Sequence, residues 1–472
     1  MSTQCKWTAL VLAAGKGTRM KSELPKVLHP LLGRPMLAWV LEAAAGAGVE
    51  SVIAIVGFGR ERIIETLSSK YPSVRRAVQA DQRGTGHAVA CAREEVGGGD
   101  LPLLILNGDA PLLRGEVLAT FLAAHEASGA AASVLSFIAT DPTGYGRILR
   151  DRDSLVDRIV EDQDATPEQK SLREVNSGVY AVSSSALFEA LEGIRADNAQ
   201  GELYLPDIVP LLRAAGRPVR VHVAPTAEDF RGINHRAELA ELAAVLRARK
   251  NRELMLAGVT LEDPATTWVE QDVQVGPDTV LEAGVRLTGG TRVGTGCLIG
   301  AGSVLSRCTL DDRVQVRPYS VLDEAVVGPE AMVGPFAHLR PGTRLGPRTK
   351  VGNFVEVKAT RMGEGSKASH LTYLGDSEIG AGVNIGAGTI TCNFDGFSKH
   401  PTKIGDGAFI GSDSILVAPL EIGPGAFVAA GSTITHPVPA RSLAIGRARQ
   451  EVKENYAEVL ERRFGGSKKE GH

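Results

Sequence analysis

The sequence predicts two domains of different fold class, an α/β domain with a doubly wound, Rossmann-like sheet followed by a parallel β-helix. The first prediction rests on short apolar runs that alternate with helical patterns over residues 1 to about 236, which is typical of a parallel sheet covered by helices. The second rests on an aliphatic residue at every sixth position between Val275 and about Thr433. No α-helix, coiled coil or sandwich strand has that period, whereas a three-sided β-helix buries one aliphatic side chain per side of each coil.

The composition limits the classes of function. A chain of 472 residues is too long for a single core. Lys and Arg number 52 against 55 Asp and Glu, a net charge of -3 that argues against a nucleic-acid partner held by bulk charge. The five cysteines form no CxxC pair, which favours free thiols in a reducing compartment. No 18-residue apolar stretch is present, so we expect a cytoplasmic protein with no membrane partner.

In the first domain, three apolar runs are interpreted as buried parallel strands: residues 9–12, 51–56 and 103–106. Residues 36–47 and 86–95 are interpreted as helices. Ligands of doubly wound folds bind at the carboxyl ends of the strands. Gly15 follows the first strand there, and the string Asn107-Gly108-Asp109 ends the third. We therefore expect a binding site at this edge of the sheet.

One long helical pattern follows, with leucines on one stripe. We interpret it as a rigid connecting arm. The predicted domains are therefore residues 1–236, a helical linker at 237–257 and the β-helix at 258–472. Within the β-helix, the six-residue period is predicted to break at Gly363–Ser377 and again at Thr391–Lys403.

The sharpest motif of the first domain is the glycine loop Leu12-Ala13-Ala14-Gly15-Lys16-Gly17-Thr18-Arg19-Met20, followed by Leu24-Pro25-Lys26. Glycines after a buried strand let backbone N–H groups approach a phosphate or a base. Arg19 and Lys26 add positive charge, and Asp109 is placed to hold Mg²⁺. The alternatives are a tight turn with two exposed bases and an aspartate that only caps a helix.

A second site is predicted where the six-residue period breaks. It contains His370, with Arg340, Glu356 and Lys358 upstream. Glu356 and Lys358 are two residues apart on a strand and therefore point the same way. An imidazole can take a proton from an attacking amine, and the cations can hold a phosphate. The alternatives are a solvated loop histidine and, for the nearby Cys392, a covalent acyl-enzyme, which we disfavour because no histidine is adjacent in sequence.

Together these motifs resemble the bacterial bifunctional N-acetylglucosamine-1-phosphate uridyltransferase and glucosamine-1-phosphate N-acetyltransferase family. The resemblance runs over essentially the whole chain, and implies left-handed coils of hexapeptide repeats in the second domain. The most specific strings are these: Leu12 to Lys26, Gln79 with Gly84-Thr85-Gly86, Gly144-Tyr145-Gly146-Arg147-Ile148, Glu161, Val175-Asn176-Ser177-Gly178, Gly232-Ile233-Asn234 and the block from Asn353 to Asn393.

The resemblance implies a role for each matching residue of the first domain. UTP and its sugar product would be held by Leu12, Ala13, Ala14, Gly15, Lys26, Gln79, Gly84, Thr85, Asn107, Gly108, Asp109, Gly146, Glu161, Asn176 and Asn234. Among these, Asp109 and Asn234 would ligate Mg²⁺. The family commonly has tyrosine where this chain has Asn107, so no ring is available there for packing.

For the second domain, the resemblance implies His370 as general base. Arg340, Lys358, Tyr373 and Asn384 would bind glucosamine-1-phosphate. The acetyl-CoA site would be lined by Ala387, Asn393, Phe394, Ser412, Ala430 and Arg447, and Asn393 would also contact the sugar. The family is a homotrimer whose acetyl site is shared between prisms. It commonly has tyrosine at the position of Phe394, so any role of that hydroxyl is lost here.

Two rival functions remain open on the sequence. One is a monofunctional sugar-1-phosphate nucleotidyltransferase whose β-helix only oligomerises or regulates. The other is a non-enzymatic trimeric scaffold or sugar-binding module with degenerate sites. The cluster from His370 to Asn393 argues against both, and assays of the two activities discriminate among the three.

Overall fold

The computed structural model of the chain describes residues 6–464. Contacts divide the chain into two compact units, the first ending at Lys250 and the second beginning at Asn251. The boundary falls inside the long helix Arg236–Leu256. Among residues 6–464, no helix combines the length and apolar character that a membrane crossing requires.

The first unit is an α/β domain with eleven described strands. They are β1 Thr8–Ala13, β2 Pro30–Leu31, β3 Arg34–Pro35, β4 Ser51–Val56, β5 Arg75–Val78, β6 Pro102–Asn107, β7 Ala132–Ile138, β8 Arg147–Arg150, β9 Val156–Val160, β10 Glu174–Ser183 and β11 Val219–Val223. The main sheet has the order β11-β7-β10-β6-β1-β4-β5. Strand β10 is antiparallel to both of its neighbours, and β4 and β6 flank β1 in parallel.

Helices cover both faces of this sheet. They are α1 Met36–Gly46, α2 Arg60–Lys70, α3 Thr85–Ala90, α4 Arg93–Val96, α5 Gly115–Ser128, α6 Pro167–Lys170, α7 Ser184–Glu192, α8 Ile208–Ala214 and α9 Arg236–Leu256, with short 3-10 turns at Thr18–Met20, Lys26–Leu28, Leu205–Asp207 and Glu228–Phe230. Each face has its own apolar core. Successive residues of β1 alternate between them, with Val11 in one core and Leu10 in the other. A strand that is buried on both faces has a continuous apolar sequence. The three strands predicted from such runs are present as β1, β4 and β6.

One predicted helix is divided. The sequence pattern predicts a continuous helix over 86–95, but the structure has α3 and α4 separated by Cys91 and Ala92. The amide of Ala92 bonds to the carbonyl of Val89 at 3.0 Å, three residues back rather than four. This tighter turn interrupts the α-helical pattern between the two segments.

The second unit is a left-handed parallel β-helix with three sides, called the prism below. Side 1 contains Thr260–Leu261, Val280–Leu281, Leu298–Ile299, Gln315–Val316, Met332–Val333, Asn384–Ile385, Phe409–Ile410, Phe427–Val428 and Leu443–Ala444; side 2 contains Trp268–Val269, Arg286–Thr288, Val304–Ser306, Val321–Asp323, His338–Leu339, Ile390–Cys392, Ile415–Val417 and Thr433–Ile434. Two long strands, Lys350–Lys358 and Lys367–Gly375, turn the corner from side 1 to side 2.

Side 3 is a separate nine-stranded sheet. It contains Gln274–Val275, Arg292–Val293, Thr309–Leu310, Val326–Val327, Arg344–Leu345, Arg361–Met362, Ser377–Ile379, Thr402–Ile404 and Leu420–Ile422. A further helix, Tyr456–Phe464, follows the prism. The aliphatic residues of the six-residue period fill the prism interior, which explains why the period is visible in the sequence.

The first predicted break of the period is wrong. Gly363–Ser377 contains the whole of the long strand Lys367–Gly375, and Ala368 and Leu374 occupy fully buried core positions. Polar residues surround the small Ala368 in sequence, which hides the repeat. The second predicted break is present, because residues 393–401 form an extension between the strands Ile390–Cys392 and Thr402–Ile404.

Of the five cysteines, four lie in the described range and are unpaired: Cys91, Cys297, Cys308 and Cys392. Burial raises the pKa of the Cys91, Cys297 and Cys308 thiols, which makes a reactive thiolate less accessible. Cys5 lies outside the described residues.

Candidate active sites

The glycine loop after β1 forms one wall of a cleft of about 530 Å³. The cleft lies at the carboxyl ends of β1, β5 and β6, where a doubly wound fold binds its ligands. Its walls include Leu12, Ala13, Ala14, Gly15, Lys16, Gly17, Thr18, Lys26, Val27, Gln79, Gln82, Gly84, Thr85, Ala88, Asn107, Asp109 and Glu202. Most of the residues predicted to hold a nucleotide therefore meet in one cavity.

Close backbone packing builds the floor of this cleft. Gly108 donates its amide to the carbonyl of Leu12 at 2.9 Å, and a Cβ on Gly108 would lie 2.7 Å from that oxygen. Gly84 has φ +104°, and a Cβ there would lie 2.5 Å from the carbonyl oxygen of Leu203. Side chains at these two positions would force the loops apart, which explains the glycines in the motifs.

Cations and oxygen ligands meet at the edge of the cleft. The ammonium of Lys26 lies 2.5 Å from Asp109 Oδ2 and 3.1 Å from Asn234 Oδ1. Arg19 donates to the same Asn234 oxygen at 2.8 Å. A carboxylate and an amide oxygen thus converge on one positive charge, and these are the hard oxygen donors that Mg²⁺ prefers. The residues fit a magnesium ion at this position.

Gly146, Glu161 and Asn176 are brought together beside the sheet. Asn176 donates its amide to the carbonyl of Gly146 at 2.8 Å. A Cβ on Gly146 would lie 3.4 Å from Glu161 Oε1 and 3.6 Å from Asn176 Cβ. Burial, followed by the nearby carboxylates, raises the pKa of Glu161 to about 6. The group is a half-enclosed polar wall that can accept and donate hydrogen bonds to a sugar.

Gly178 connects this polar wall to the nucleotide cleft. It has φ +76°, and a Cβ there would lie 2.1 Å from Asn107 Nδ2. Its amide donates to Asn176 Oδ1 at 3.0 Å. The Asn107 side chain therefore packs directly on the backbone next to this polar wall.

Side 2 of the prism holds a polar cluster, called the side 2 cluster below. Arg340 donates to Glu356 at 2.8 Å, and Lys358 lies 3.2 Å from Asp376. These strands pair in register, with Glu356 beside Tyr373. Asn393 donates to Asp376 and approaches the Tyr373 hydroxyl at 3.5 Å. The cluster presents two cations with hydroxyl and amide donors, which suits the phosphate of a small sugar.

His370 lies on the other side of a prism corner. Its Nδ1 is 2.7 Å from Asn353 Oδ1. Because an amide oxygen only accepts, Nδ1 carries a proton, so the lone pair of the neutral imidazole is on Nε2. His370 is thus held in the tautomer that a general base needs.

The coils that follow His370 stack small residues along the same corner. The amide of Gly388 bonds to the carbonyl of Leu371, next to His370, at 2.8 Å. Further bonds join Asp413 to Ala387, Gly431 to Ser412, and the Arg447 guanidinium to the carbonyl of Ala430. Asn384 lies on side 1, paired with Lys367. The predicted acetyl-CoA residues Ala387, Ser412, Ala430 and Arg447 therefore form one continuous strip.

The extension at residues 393–401 is a loop held by hydrogen bonds to Asp395. Asp395 accepts from the amides of Phe397 and Ser398 at 2.8 and 2.7 Å and from His400 at 2.7 Å. The amide of Ser398, then the His400 side chain, hold the pKa of Asp395 well below its usual range. Phe394 is 60% exposed at the start of this loop. In the described part of the chain, no hydrogen bond or ion pair joins His370 to the side 2 cluster.

Two residues of the prism site were not predicted from the sequence. Asn353 orients His370, and Asp376 holds both Lys358 and Asn393. Asn353 lies beside His370 in register because this coil has 17 residues, whereas the pairing of Val280 with Leu298 spans 18, so the period alone does not locate it. Asp376 has no local signal in the sequence, because its two partners come from the preceding coil and from the extension.

Comparison with known proteins finds family matches in both units. Residues 9–205 match the MobA-like NTP transferase domain, residues 282–307 the hexapeptide repeat of succinyl-transferase, and residues 401–436 the bacterial transferase hexapeptide of six repeats. A relative from Pelobacter propionicus is 50% identical over 95% of this chain and 97% of its own length. Relatives from Geobacter sulfurreducens and Geobacillus thermodenitrificans are 48% and 46% identical over 95% and 96% of the chain, and 98% of their own lengths. All three are named bifunctional protein GlmU.

Proposed function

This chain belongs to the family of bifunctional GlmU proteins, and we propose that its two units catalyse two successive transfers which make UDP-N-acetylglucosamine. It is a bifunctional transferase. The prism acetylates glucosamine-1-phosphate from acetyl-CoA, and the α/β unit then joins the product to UTP with release of pyrophosphate. We assign these reactions to domains 258–472 and 1–236, joined by the helix at 237–257. The observation that carries the proposal is that each unit holds a cluster of polar side chains suited to one of the two transfers.

In the α/β unit, uridylyl transfer depends on position and charge. The phosphate oxygen of N-acetylglucosamine-1-phosphate attacks the α-phosphorus of UTP, and the bond to pyrophosphate breaks. That phosphate is already ionised, so no side chain has to remove a proton. The segments Leu12–Gly15 and Gly84–Thr85 hold the nucleoside, and the ammonium of Lys26 contacts the phosphates. The polar wall of Gly146, Glu161 and Asn176 orients the sugar.

Asp109 and Asn234 are the residues that would hold Mg²⁺. The convergence of their oxygens on the Lys26 ammonium supports this assignment. When bound, the ion neutralises negative charge on the phosphates. No cluster of three or more His, Cys, Asp or Glu side chains suited to a metal occurs in residues 6–464. Substrate oxygens and water would complete the coordination of an ion held by these two residues.

In the prism, His370 acts as general base. The amine nitrogen of glucosamine-1-phosphate attacks the thioester carbonyl of acetyl-CoA, Nε2 of His370 takes the amine proton, and the bond to the coenzyme A sulfur breaks. The 2.7 Å bond from Nδ1 to Asn353 supports this role, because it leaves Nε2 free to accept. Arg340, Lys358, Tyr373 and Asn384 hold the sugar phosphate, and the strip from Ala387 to Arg447, with Asn393 and Phe394, holds acetyl-CoA.

A second and third copy of the chain complete the acetyl site. Among residues 6–464, no hydrogen bond or ion pair joins His370 to the side 2 cluster, and Phe394 is exposed at the start of the loop 393–401. These features support a homotrimer whose loops reach neighbouring prisms. Sedimentation should therefore give three times the 49.7 kDa chain mass. The substrates are small molecules, with no nucleic-acid or membrane partner, and we place the reaction in the cytoplasm.

Paired assays test the proposal. Wild type with acetyl-CoA, glucosamine-1-phosphate, UTP and Mg²⁺ should release free thiol, pyrophosphate and the UDP-sugar. Asp109→Ala should abolish pyrophosphate release and spare thiol release, and Asp157→Ala, an exposed aspartate elsewhere in the unit, should change neither. Absence of thiol release by wild type would favour the monofunctional nucleotidyltransferase. Absence of both products would favour the scaffold.

A further inference from the structure

Gln79 lies at the end of β5 with its side chain inside the nucleotide cleft. Its amide donates to the carbonyl of Val56 at 2.8 Å, and only 3% of the residue is exposed. The side-chain Nε2 lies 3.1 Å from the carbonyl oxygen of Gly84 and 3.1 Å from Nδ1 of His87. Both hydrogens of this amide group therefore point to protein atoms.

These two contacts fix the direction of the amide. A carbonyl oxygen only accepts, so the group that faces Gly84 must be the NH₂ of Gln79. Its second hydrogen goes to Nδ1 of His87, which must be unprotonated. His87 then carries its proton on Nε2, 3.8 Å from the Cys91 sulfur, which is a weak acceptor. Gln79 Oε1 is left without a donor among the described residues, on the wall of the cleft.

We infer that His87 is a positioning residue which sets the base selectivity of the nucleotide site through Gln79. The inference rests on the proposed uridylyl transfer. With the amide held in this direction, Gln79 offers an acceptor to the base. The ring N3 of uracil carries a hydrogen, whereas N3 of cytosine carries a lone pair. An acceptor held in front of N3 therefore favours UTP over CTP, and the orientation depends on His87 accepting the second hydrogen.

Removal of the acceptor should loosen this orientation. With an apolar side chain at position 87, one hydrogen of a buried NH₂ group would have no partner, which is unfavourable. The bond to the Gly84 carbonyl alone then holds the amide, so its direction is less firmly fixed and Oε1 faces the base less consistently. Leucine places a methyl group where Nδ1 lies, whereas asparagine places its Oδ1 there. His87→Leu and His87→Asn thus differ in the one property that matters, the acceptor.

The test measures kcat/KM for UTP and for CTP with N-acetylglucosamine-1-phosphate. His87→Leu should lower the UTP:CTP ratio by about tenfold, equivalent to about 1.4 kcal/mol, and His87→Asn should retain most of it. His222→Leu is the matched control, because this half-buried histidine of β11 bonds to Ser133 away from the cleft. It should leave the ratio unchanged.

Several results would overturn the inference. His87→Leu could lower both rates and keep the ratio, which would mean a structural role only. His87→Asn could lose as much selectivity as His87→Leu, which would mean that the acceptor is irrelevant. If wild type turns over neither nucleotide, the proposed function fails, and calorimetric binding of UTP and CTP tests the inference alone. If His87→Leu does not fold, imidazole ¹⁵N chemical shifts of wild type must show the proton on Nε2; a proton on Nδ1 would contradict the mechanism.

Discussion

Replacement of His370 by alanine should separate the two activities. The imidazole is the only side chain to which the proposed mechanism gives a proton, and its Nδ1 bond of 2.7 Å to Asn353 prepares Nε2 to accept one. General bases contribute roughly 10²- to 10⁴-fold to rate, so His370→Ala should lower kcat for acetyl transfer by a factor in that range. Thiol release from acetyl-CoA measures this step. Pyrophosphate release from UTP and N-acetylglucosamine-1-phosphate should stay at the wild-type rate, because His370 belongs to the prism.

The size of the loss depends on the tautomer, and this can be tested in the same assay. Asn353→Ala leaves the base in place but frees its ring, so we expect a smaller loss of about tenfold. His436→Ala is the matched control, an exposed prism histidine that bonds to its neighbour Thr435. It should be silent. If His370→Ala acetylates within a few-fold of wild type, His370 is not the base, and the side 2 cluster must act without it.

Three other substitutions test the remaining geometry. Asp376→Ala removes the carboxylate that holds a lysine and an asparagine of the side 2 cluster, so KM for glucosamine-1-phosphate should rise roughly tenfold. The control Glu378→Ala should leave KM unchanged. If KM is unchanged in both variants, Asp376 does not belong to the site. Gly178→Ala should lower the melting temperature and uridylyl transfer more than Gly201→Ala, since both glycines have positive φ but only the first would meet a neighbouring side chain; equal effects would mean that backbone strain alone matters. Glu161→Gln should be more stable than wild type above about pH 6 by about 2 kcal/mol, because a raised carboxyl pKa destabilises the fold as pH rises from 4.5 to about 6. Denaturant titrations at pH 4 and pH 7 measure the two free energies of unfolding. A difference that persists at pH 4 would have another cause.

The sequence could predict the fold because every coil of the prism has the same requirement for buried side chains. Each side of each coil needs one buried aliphatic residue, so Leu281, Leu287, Val293 and Ile299 mark the prism without any knowledge of contacts. The strand before the glycine loop is visible for the same reason, since burial on both faces leaves only apolar residues. Ala368 shows the limit, because a small side chain in a core position carries no hydrophobic signal of its own.

The candidate sites divide in the same way. The sequence could predict the main residues of both candidate sites, because the glycine loop, Asp109 and His370 lie in recognisable strings. It could not predict the residues that orient them. Asp376 and Asn353 reach their partners across neighbouring coils, at a register that depends on the lengths of the corners between them.

The sequence by itself therefore determined that this chain has an α/β nucleotide domain and a β-helix, and where along the chain their chemistry lies. Periodicity and local strings are sufficient for that, since they record burial and backbone shape. Only the tertiary structure decided which way the reactive groups point. Gln79 is turned by His87, and His370 by Asn353. Hydrogen-bond direction depends on atoms a few ångströms apart in space, and separations of 8 and 17 residues carry no local pattern that reveals it.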